Sequence, residues 1–248
     1  MGQDLIPTLH CLHHSAAFRV LWALEELKAL NGTTFHVKTY PRIRALAPEE
    51  LKKVFPLGKS PILVLEWADK RDEPLPVFQL QPEVLTEAQL ILRFLSDEYG
   101  GGVWEPESKE DERRDTFFQA FATMTLTPRL DMLVAFESLL RALPFGISGL
   151  VRLVIGPVIN IFKSGLTVFF ELLETSLTDE KPWFSGAKFG LADFNLSFGL
   201  DTASQRGYID PKKYPKLTEW SSKIQSREGY KTAIKESGGY DLKTYGMK

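Results

Sequence analysis

Phe55-Pro56-Leu57-Gly58-Lys59-Ser60-Pro61-Ile62-Leu63-Val64-Leu65 reads as a tight turn that empties into a buried strand. Pro56 and Gly58 punctuate the chain, and Pro61 drives Ser60 out of the helical region into an extended X-Pro step open to the cis form. Ile62 to Leu65 is an unbroken apolar run, the pattern of a strand covered on both faces. A short polar segment held by proline at the mouth of a sheet can offer backbone groups to an extended ligand. It can equally be an ordinary turn, and the stretch by itself favours the turn.

Working outward, Leu5 to Leu12 is an apolar-rich run that ends at His13-His14-Ser15, so it predicts a strand. A helix opens near Ser15, carries Val20, Leu24 and Leu27 on one face with Glu25, Glu26 and Lys28 opposite, and closes at Asn31-Gly32. Thr34 to Tyr40 predicts a second strand, Pro48-Glu49-Glu50 a short helix, and Pro61 to Trp67 a third strand. Ala68 to Pro74 is a charged loop, and Leu75 to Leu80 predicts a fourth strand, hairpin partner of the third. A helix from Thr86 to about Tyr99 stops at Gly100-Gly101-Gly102. The order β-α-β-α-β-β-α, with a right-handed crossover between the first two strands, predicts a four-stranded mixed sheet of thioredoxin-like type.

After a polar linker no convincing strand remains, so the second half is expected to be all-α. One long helix is predicted over Lys109 to Leu143, kinked at Pro128, with Phe117, Phe121, Met124 and Leu126 inward. Ser148 to Ser176 predicts one or two helices interrupted at Gly156-Pro157. Further helices are expected at Leu191 to Gly207 and from Tyr214-Pro215, and the tail from Ser237 is expected to be loosely held. Gly146 to Phe162 is the most apolar stretch. Arg152, Pro157 and Asn160 argue against a membrane span, so a buried or substrate-lining helix pair is expected, with an exposed docking patch as the other reading.

Composition narrows the function. The 248 residues are 44% hydrophobic and 25% charged, which suits a soluble globular protein with a sizeable core. The net charge of -2 supplies no basic field for nucleic acid or an anionic membrane. A single cysteine, Cys11, allows no internal disulfide and fits a reducing, cytoplasmic setting. No secretory signal pattern is read at the N-terminus, and Ile6 stands where a myristoylation motif after Gly2 needs Ser or Thr. His10, Cys11, His13 and His14 could suggest a metal site. His10 and Cys11 point to opposite faces of a strand, and the sequence has no second cluster, so no metal is expected. Cys11 lies inside a strand without a Cys-x-x-Cys partner, so an inert thiol is expected rather than a redox nucleophile.

Leu12-His13-His14-Ser15-Ala16-Ala17-Phe18-Arg19-Val20-Leu21-Trp22-Ala23-Leu24-Glu25-Glu26-Leu27 resembles the cytosolic glutathione transferases, in a serine-type branch common in fungi and bacteria. So do Ala47-Pro48-Glu49-Glu50-Leu51-Lys52-Lys53 with Pro56 to Pro61, and Val84-Leu85-Thr86-Glu87. Phe189-Gly190-Leu191-Ala192-Asp193 looks like the same family's buried helix cap. The resemblance covers nearly the whole chain and implies a thioredoxin-like glutathione-binding domain over residues 1–102, a linker at 103–108, and an all-α domain over 109–248 with a hydrophobic substrate pocket. It implies that Ser15 holds the glutathione sulfur and that Ser60, before a cis Pro61, pairs strand-fashion with the cysteinyl unit. It further implies that Lys59, or more weakly Lys53, reaches the glycyl carboxylate, and that Glu87 binds the γ-glutamyl ammonium. His14 is a candidate for lining the site, with a solvated loop histidine the alternative. Phe117, Phe121 and Met124 are the candidate second-substrate pocket, set against plain helical core, which is also the default for Phe118 and Phe145.

Three positions depart from the family pattern. Ala16 stands where Arg usually follows the serine. Ala88 stands where a Ser normally binds the γ-glutamyl carboxylate, leaving backbone N–H groups at that helix start. Gly190 stands where a hydroxyl normally caps the buried helix.

The expected chemistry needs no metal and no general base. Lowering a thiol pKa from about 8.5 by about two units takes about 2.7 kcal/mol of preference for the anion. A hydroxyl hydrogen bond to charged sulfur supplies roughly 1.5–3 kcal/mol, and a helix N-terminus about 0.3–1 kcal/mol more. The expected reaction is addition of the glutathione thiolate to a hydrophobic electrophile such as an activated alkene. One alternative is glutathione-dependent cis–trans isomerisation in secondary metabolism, in which the thiolate adds, the bond rotates and the thiolate leaves. Another is a non-catalytic binding module on the same fold. A homodimer is expected from the resemblance.

Overall fold

The computed structural model describes residues 5–43, 46–69, 73, 75, 77 and 79–243; within the helix that begins at residue 145, the side chains of residues 145, 146 and 148 also lie outside the description. Strands β1 (Leu5–Leu12), β2 (His36–Tyr40), β3 (Ile62–Trp67) and β4 (Val84–Thr86) form one sheet in the order β2-β1-β3-β4. β1 and β2 are parallel, while β3 runs antiparallel to both β1 and β4. Helices α1 (Phe18–Asn31), α2 (Glu50–Val54) and α3 (Ala88–Tyr99) connect and cover the strands. The four-stranded mixed sheet with a helical second half is the expected fold class.

The fourth strand is not where the sequence suggests. Of the expected range, Leu75, Val77, Gln79 and Leu80 carry no strand, while Pro76 and Phe78 lie outside the described residues. The hairpin partner of β3 is Val84–Thr86, with Leu63 opposite Leu85 and Val64 opposite Val84. The physical reason is donor supply. Pro74 and Pro76 have no N–H for a ladder, whereas every residue of Val84–Thr86 does. Moving the strand to this position also delivers Glu87 and Ala88 directly from the sheet to the start of α3.

α1 is buried on nearly every side, Glu25 included, because it lies between the sheet and the helical half. It packs on α3, α7 (Leu191–Gln205) and α9 (Glu228–Glu236). One apolar core cluster runs through both halves, from Leu5 to Leu242.

The long helix from Lys109 is continuous but changes register. α4 (Lys109–Ala120) passes through a π-helical segment, Phe121–Leu126, into α5 (Thr127–Ala142). The π segment precedes Pro128, so the irregularity expected at the proline is taken up by wider hydrogen-bonding before it. α6 (Phe145–Ser176) is a single helix of 32 residues with Pro157 inside it, so the expected interruption at Gly156-Pro157 does not occur. Nor is this stretch buried. Leu150, Leu153 and Val154 are 70%, 75% and 74% exposed. α6 is long and apolar enough to cross a membrane by length and composition, but its second half is built into the core through Ile159, Leu166, Phe170 and Leu173.

α7 and α8 (Pro215–Ser226) meet at a buried carboxylate. Asp193 accepts from the N–H of Phe184 at 2.9 Å, Ser185 at 3.3 Å and Gly190 at 3.1 Å, and from Trp220 Nε1 at 2.8 Å. The hydroxyl missing at Gly190 is supplied from outside the helix. Ser185 Oγ accepts from Ala192 N at 3.1 Å, and Asp115 accepts from the same N–H at 2.8 Å. A Cβ at residue 190 would lie 2.7 Å from Ser185 Oγ, so glycine is required there by close approach.

The tail is held, against expectation, through the described residues up to Lys243. Tyr230 and Tyr240 each donate to Asp201 at 3.0 Å, and Leu242 is tied to Gln205 and Arg206. Burial pushes the Asp201 carboxyl up to about 6, while the tyrosine hydroxyls pull it down. The folded state therefore holds this proton when the unfolded chain has lost it. Stability falls as pH rises from about 4 to about 6 and the contribution is flat above that. Asp201→Asn is expected to remove this fall. Urea unfolding across that window should show the variant gaining on the parent by up to about 3 kcal/mol.

Candidate functional site

The Ser60-Pro61 peptide is cis. Ser60 Oγ accepts from Leu12 N at 3.0 Å and donates to the His10 carbonyl at 2.8 Å. Its hydroxyl is therefore spent on β1, which leaves the Ser60 main chain to serve a ligand. Gly58, at φ +58, lets the turn fold over Lys52, whose side chain sits where a Cβ would go.

A pocket of about 180 Å³ opens beside this turn. Lys59, Ser60 and Pro61 line one wall, Thr86, Glu87 and Ala88 a second, and Ala16 and Arg19 a third, with Phe55 and Leu57 at the edge. Three segments far apart in sequence thus converge, and they contain five of the residues the sequence singles out: Lys59, Ser60, Pro61, Glu87 and Ala88. Glu87 sits at φ +69, unusual for a residue with a Cβ, and its carbonyl accepts the Ile91 N–H at 2.9 Å. A backbone held in this region costs on the order of 1–3 kcal/mol and sits at the mouth of the pocket, directly before the N-terminus of α3.

Ser15 is beside the pocket rather than in its wall. Its Oγ donates to the Leu12 carbonyl at 2.7 Å and accepts from Ala17 N at 3.2 Å. Its neighbour Ala16 forms the wall. Lys53 is exposed on α2 and takes no part in the lining. His14, at φ +53, is a brace for the tail and not a lining residue: its Nδ1 accepts from Asp241 N at 2.9 Å and its N–H donates to the Gly239 carbonyl at 3.0 Å.

Of the aromatic residues expected to line a pocket on the long helix, Phe117 and Phe121 are brought together, their rings stacked with centroids 6.1 Å apart. Phe121 and Leu126 are buried in the core, and Phe121 meets Phe169 edge-on. Phe118 is also core, against Phe184. Phe117 is 52% exposed and Met124 79% exposed, so neither faces inward. Met124 lies inside the π segment, whose wider turn rotates residues 121–126 relative to an uninterrupted α-helix, whereas Phe117 precedes it on α4. The Phe145 side chain lies outside the described residues.

Arg19 is the residue that sequence reasoning missed. It is buried on the first turn of α1 and lines the pocket. One terminal nitrogen donates to the Asn195 carbonyl at 2.8 Å, but Nε has no partner among the described residues. Burial lowers its pKa to about 10, with Tyr240, Asp131 and Glu87 pulling it back up, so it stays cationic at neutral pH. The available signal was its spacing. Arg19 lies three residues after Ala16, one helical turn further along, where it brings a guanidinium to the wall that lacks one at position 16.

Cys11 offers no alternative chemistry, since burial pushes its thiol up to about 12. His10 Nδ1 lies 2.7 Å from the Tyr40 hydroxyl, and burial lowers its pKa to about 4. Among the described residues no three His, Cys, Asp or Glu side chains gather as a metal site would need.

Fold and pocket together define a thioredoxin-like domain with a three-walled pocket beside its cis-proline, backed by a helical domain. The family profile "Glutathione S-transferase, C-terminal domain" matches residues 163–228. Glutathione S-transferase 1 of Saccharomyces cerevisiae is 27% identical over 230 residues, covering 91% of this chain and 92% of the yeast protein. A glutathione S-transferase structure from Actinobacillus pleuropneumoniae matches with a TM-score of 0.69 at 27% identity, covering 95% of each chain. A glutathione transferase homologue from Lodderomyces elongisporus, solved with two glutathiones per subunit, shares the fold with a TM-score of 0.69 at 16% identity over 93% of this chain and 98% of its own. These likenesses support the glutathione S-transferase superfamily, and a glutathione S-transferase-like function, for this chain.

Proposed function

We propose that the pocket binds glutathione and that the protein adds the glutathione thiolate to a hydrophobic electrophile. The observation that carries this reading is the convergence of Lys59-Ser60-Pro61, Glu87-Ala88 and a buried, incompletely partnered Arg19 on one pocket. Glu87 takes the γ-glutamyl ammonium. Arg19 takes the γ-glutamyl carboxylate together with the N–H groups at the start of α3, replacing the hydroxyl that Ala88 lacks. The Ser60 main chain pairs with the cysteinyl unit, and Lys59 reaches the glycyl carboxylate.

The sulfur is assigned to the start of α1, at Ala16. Ser15 reaches it by turning its hydroxyl proton away from the Leu12 carbonyl. That turn forfeits a neutral hydrogen bond of about 1 kcal/mol and gains a charged one of roughly 1.5–3 kcal/mol, so the thiolate wins by about 1 kcal/mol. Ser15→Ala is therefore expected to raise the bound thiol pKa by about one unit and to slow turnover about tenfold below that pKa. Thiolate ultraviolet absorbance of the glutathione complex reads the shift. An unchanged pKa would leave Ser15 with only the turn to hold.

Product mass tests the reaction. Incubation with glutathione and a panel of conjugated enones should yield products heavier by one glutathione. Unchanged mass with altered retention would replace conjugation by cis–trans isomerisation, and no turnover with intact glutathione binding would leave a binding module. A cytoplasmic homodimer without nucleic-acid partners belongs to this reading through the family likeness.

A further inference from the structure

The α5–α6 hairpin is apolar, yet it stands clear of the core. Buried positions end at Val134 on α5 and resume at Ile159 on α6, and no described residue between them is buried. Ile147, Leu150, Val154, Val158 and Ile161 recur at intervals of three and four, so they form one exposed stripe, with Leu153 beside it. Among the described residues nothing buries this stripe, and the main partners of α6 are α5 and α8. Exposed apolar surface of this extent marks an interaction site.

Charge identifies the occupant. Ser138 to Phe170 contains none of the chain's 32 Asp and Glu, yet it holds Arg141, Arg152 and Lys163. Arg141 and Arg152 reach the surface, and Lys163 sits at the base of the hairpin, 2.8 Å from Glu137. The net charge of -2 for the whole chain conceals this local excess. An apolar stripe flanked by cations and cleared of carboxylates matches a surface of acyl chains beneath anionic headgroups. We propose that the α5–α6 hairpin docks this protein on the surface of an anionic phospholipid bilayer, with the stripe dipping into the headgroup boundary.

The helix lies on the membrane and does not cross it. Its second half holds Ile159, Leu166, Phe170 and Leu173 in the core, and a crossing would have to withdraw them. The inference is independent of the glutathione reading.

Flotation of the full chain with vesicles of phosphatidylcholine alone, or mixed with phosphatidylserine, tests it at low and high salt. The expected result is about tenfold or greater partition onto the anionic vesicles, weakened by salt. The double variant Leu150→Asp/Val154→Asp should abolish flotation, and Arg152→Glu should weaken it several-fold, with glutathione affinity unchanged in both. Arg152→Glu is a single exposed change, so it keeps the test open should the double variant misfold. Equal partition onto neutral vesicles would overturn the anionic assignment. Absence of flotation, with a dimer that the double variant splits, would overturn the membrane and make the stripe a contact between copies of this chain.

Discussion

Asp193→Ala is expected to remove about 3–5 kcal/mol of stability, a large share of what a domain of this kind possesses. The mechanism is a count of donors. The carboxylate is fully buried and accepts from three backbone N–H groups and the Trp220 indole. Alanine orphans all four, and each buried donor left alone costs about 1–3 kcal/mol before relaxation. Those donors belong to the loop before α7, to the α7 cap and to α8, so the change loosens three elements at once. Urea unfolding of the purified variant measures it. A loss under about 1 kcal/mol would mean that the site relaxes or admits water, and that Asp193 is not the staple of the helical half.

The second large effect carries two opposite signs. Arg19→Met is expected to weaken glutathione binding about 10- to 150-fold, the value of a charged hydrogen bond of roughly 1.5–3 kcal/mol. The same change should leave the empty protein as stable as the parent or more stable. It replaces a buried cation that has one hydrogen bond and an orphaned Nε with an apolar side chain of similar length. A merely structural arginine would give the reverse pattern, with stability lost and affinity spared. Thermal unfolding without ligand and calorimetric titration with it separate the two.

Much of the fold was legible because it rests on local chemistry. β1 occupies Leu5–Leu12, as the apolar run suggests, and the Ser60-Pro61 bond, which the residues leave open to cis, is cis as the resemblance implies. The pocket residues at 59–61 and 87–88 were legible through resemblance, and their convergence needed coordinates. The rest depended on information that is not local. Leu75 to Leu80 has good strand composition, but the ladder needs donors, and the choice fell to Val84–Thr86. Met124 sits at helical spacing from Phe121, but it lies inside a π segment and is exposed, while Phe117, a turn before that segment, stacks on Phe121 and is half exposed. His14 looked like a site residue because of its place in the chain. Its role depends on a tail 227 residues away. Arg19 was legible only as a cation one turn after Ala16; that this first-turn arginine is buried and short of a partner depends on the packing of α7 against α1.

Calorimetric titration of glutathione into the parent protein, Arg19→Met and Glu87→Gln tests the central claim most directly. The geometry predicts one glutathione in this pocket per chain for the parent, and binding at least about tenfold weaker in each variant. No binding at millimolar glutathione, or equal affinity in all three proteins, would contradict it.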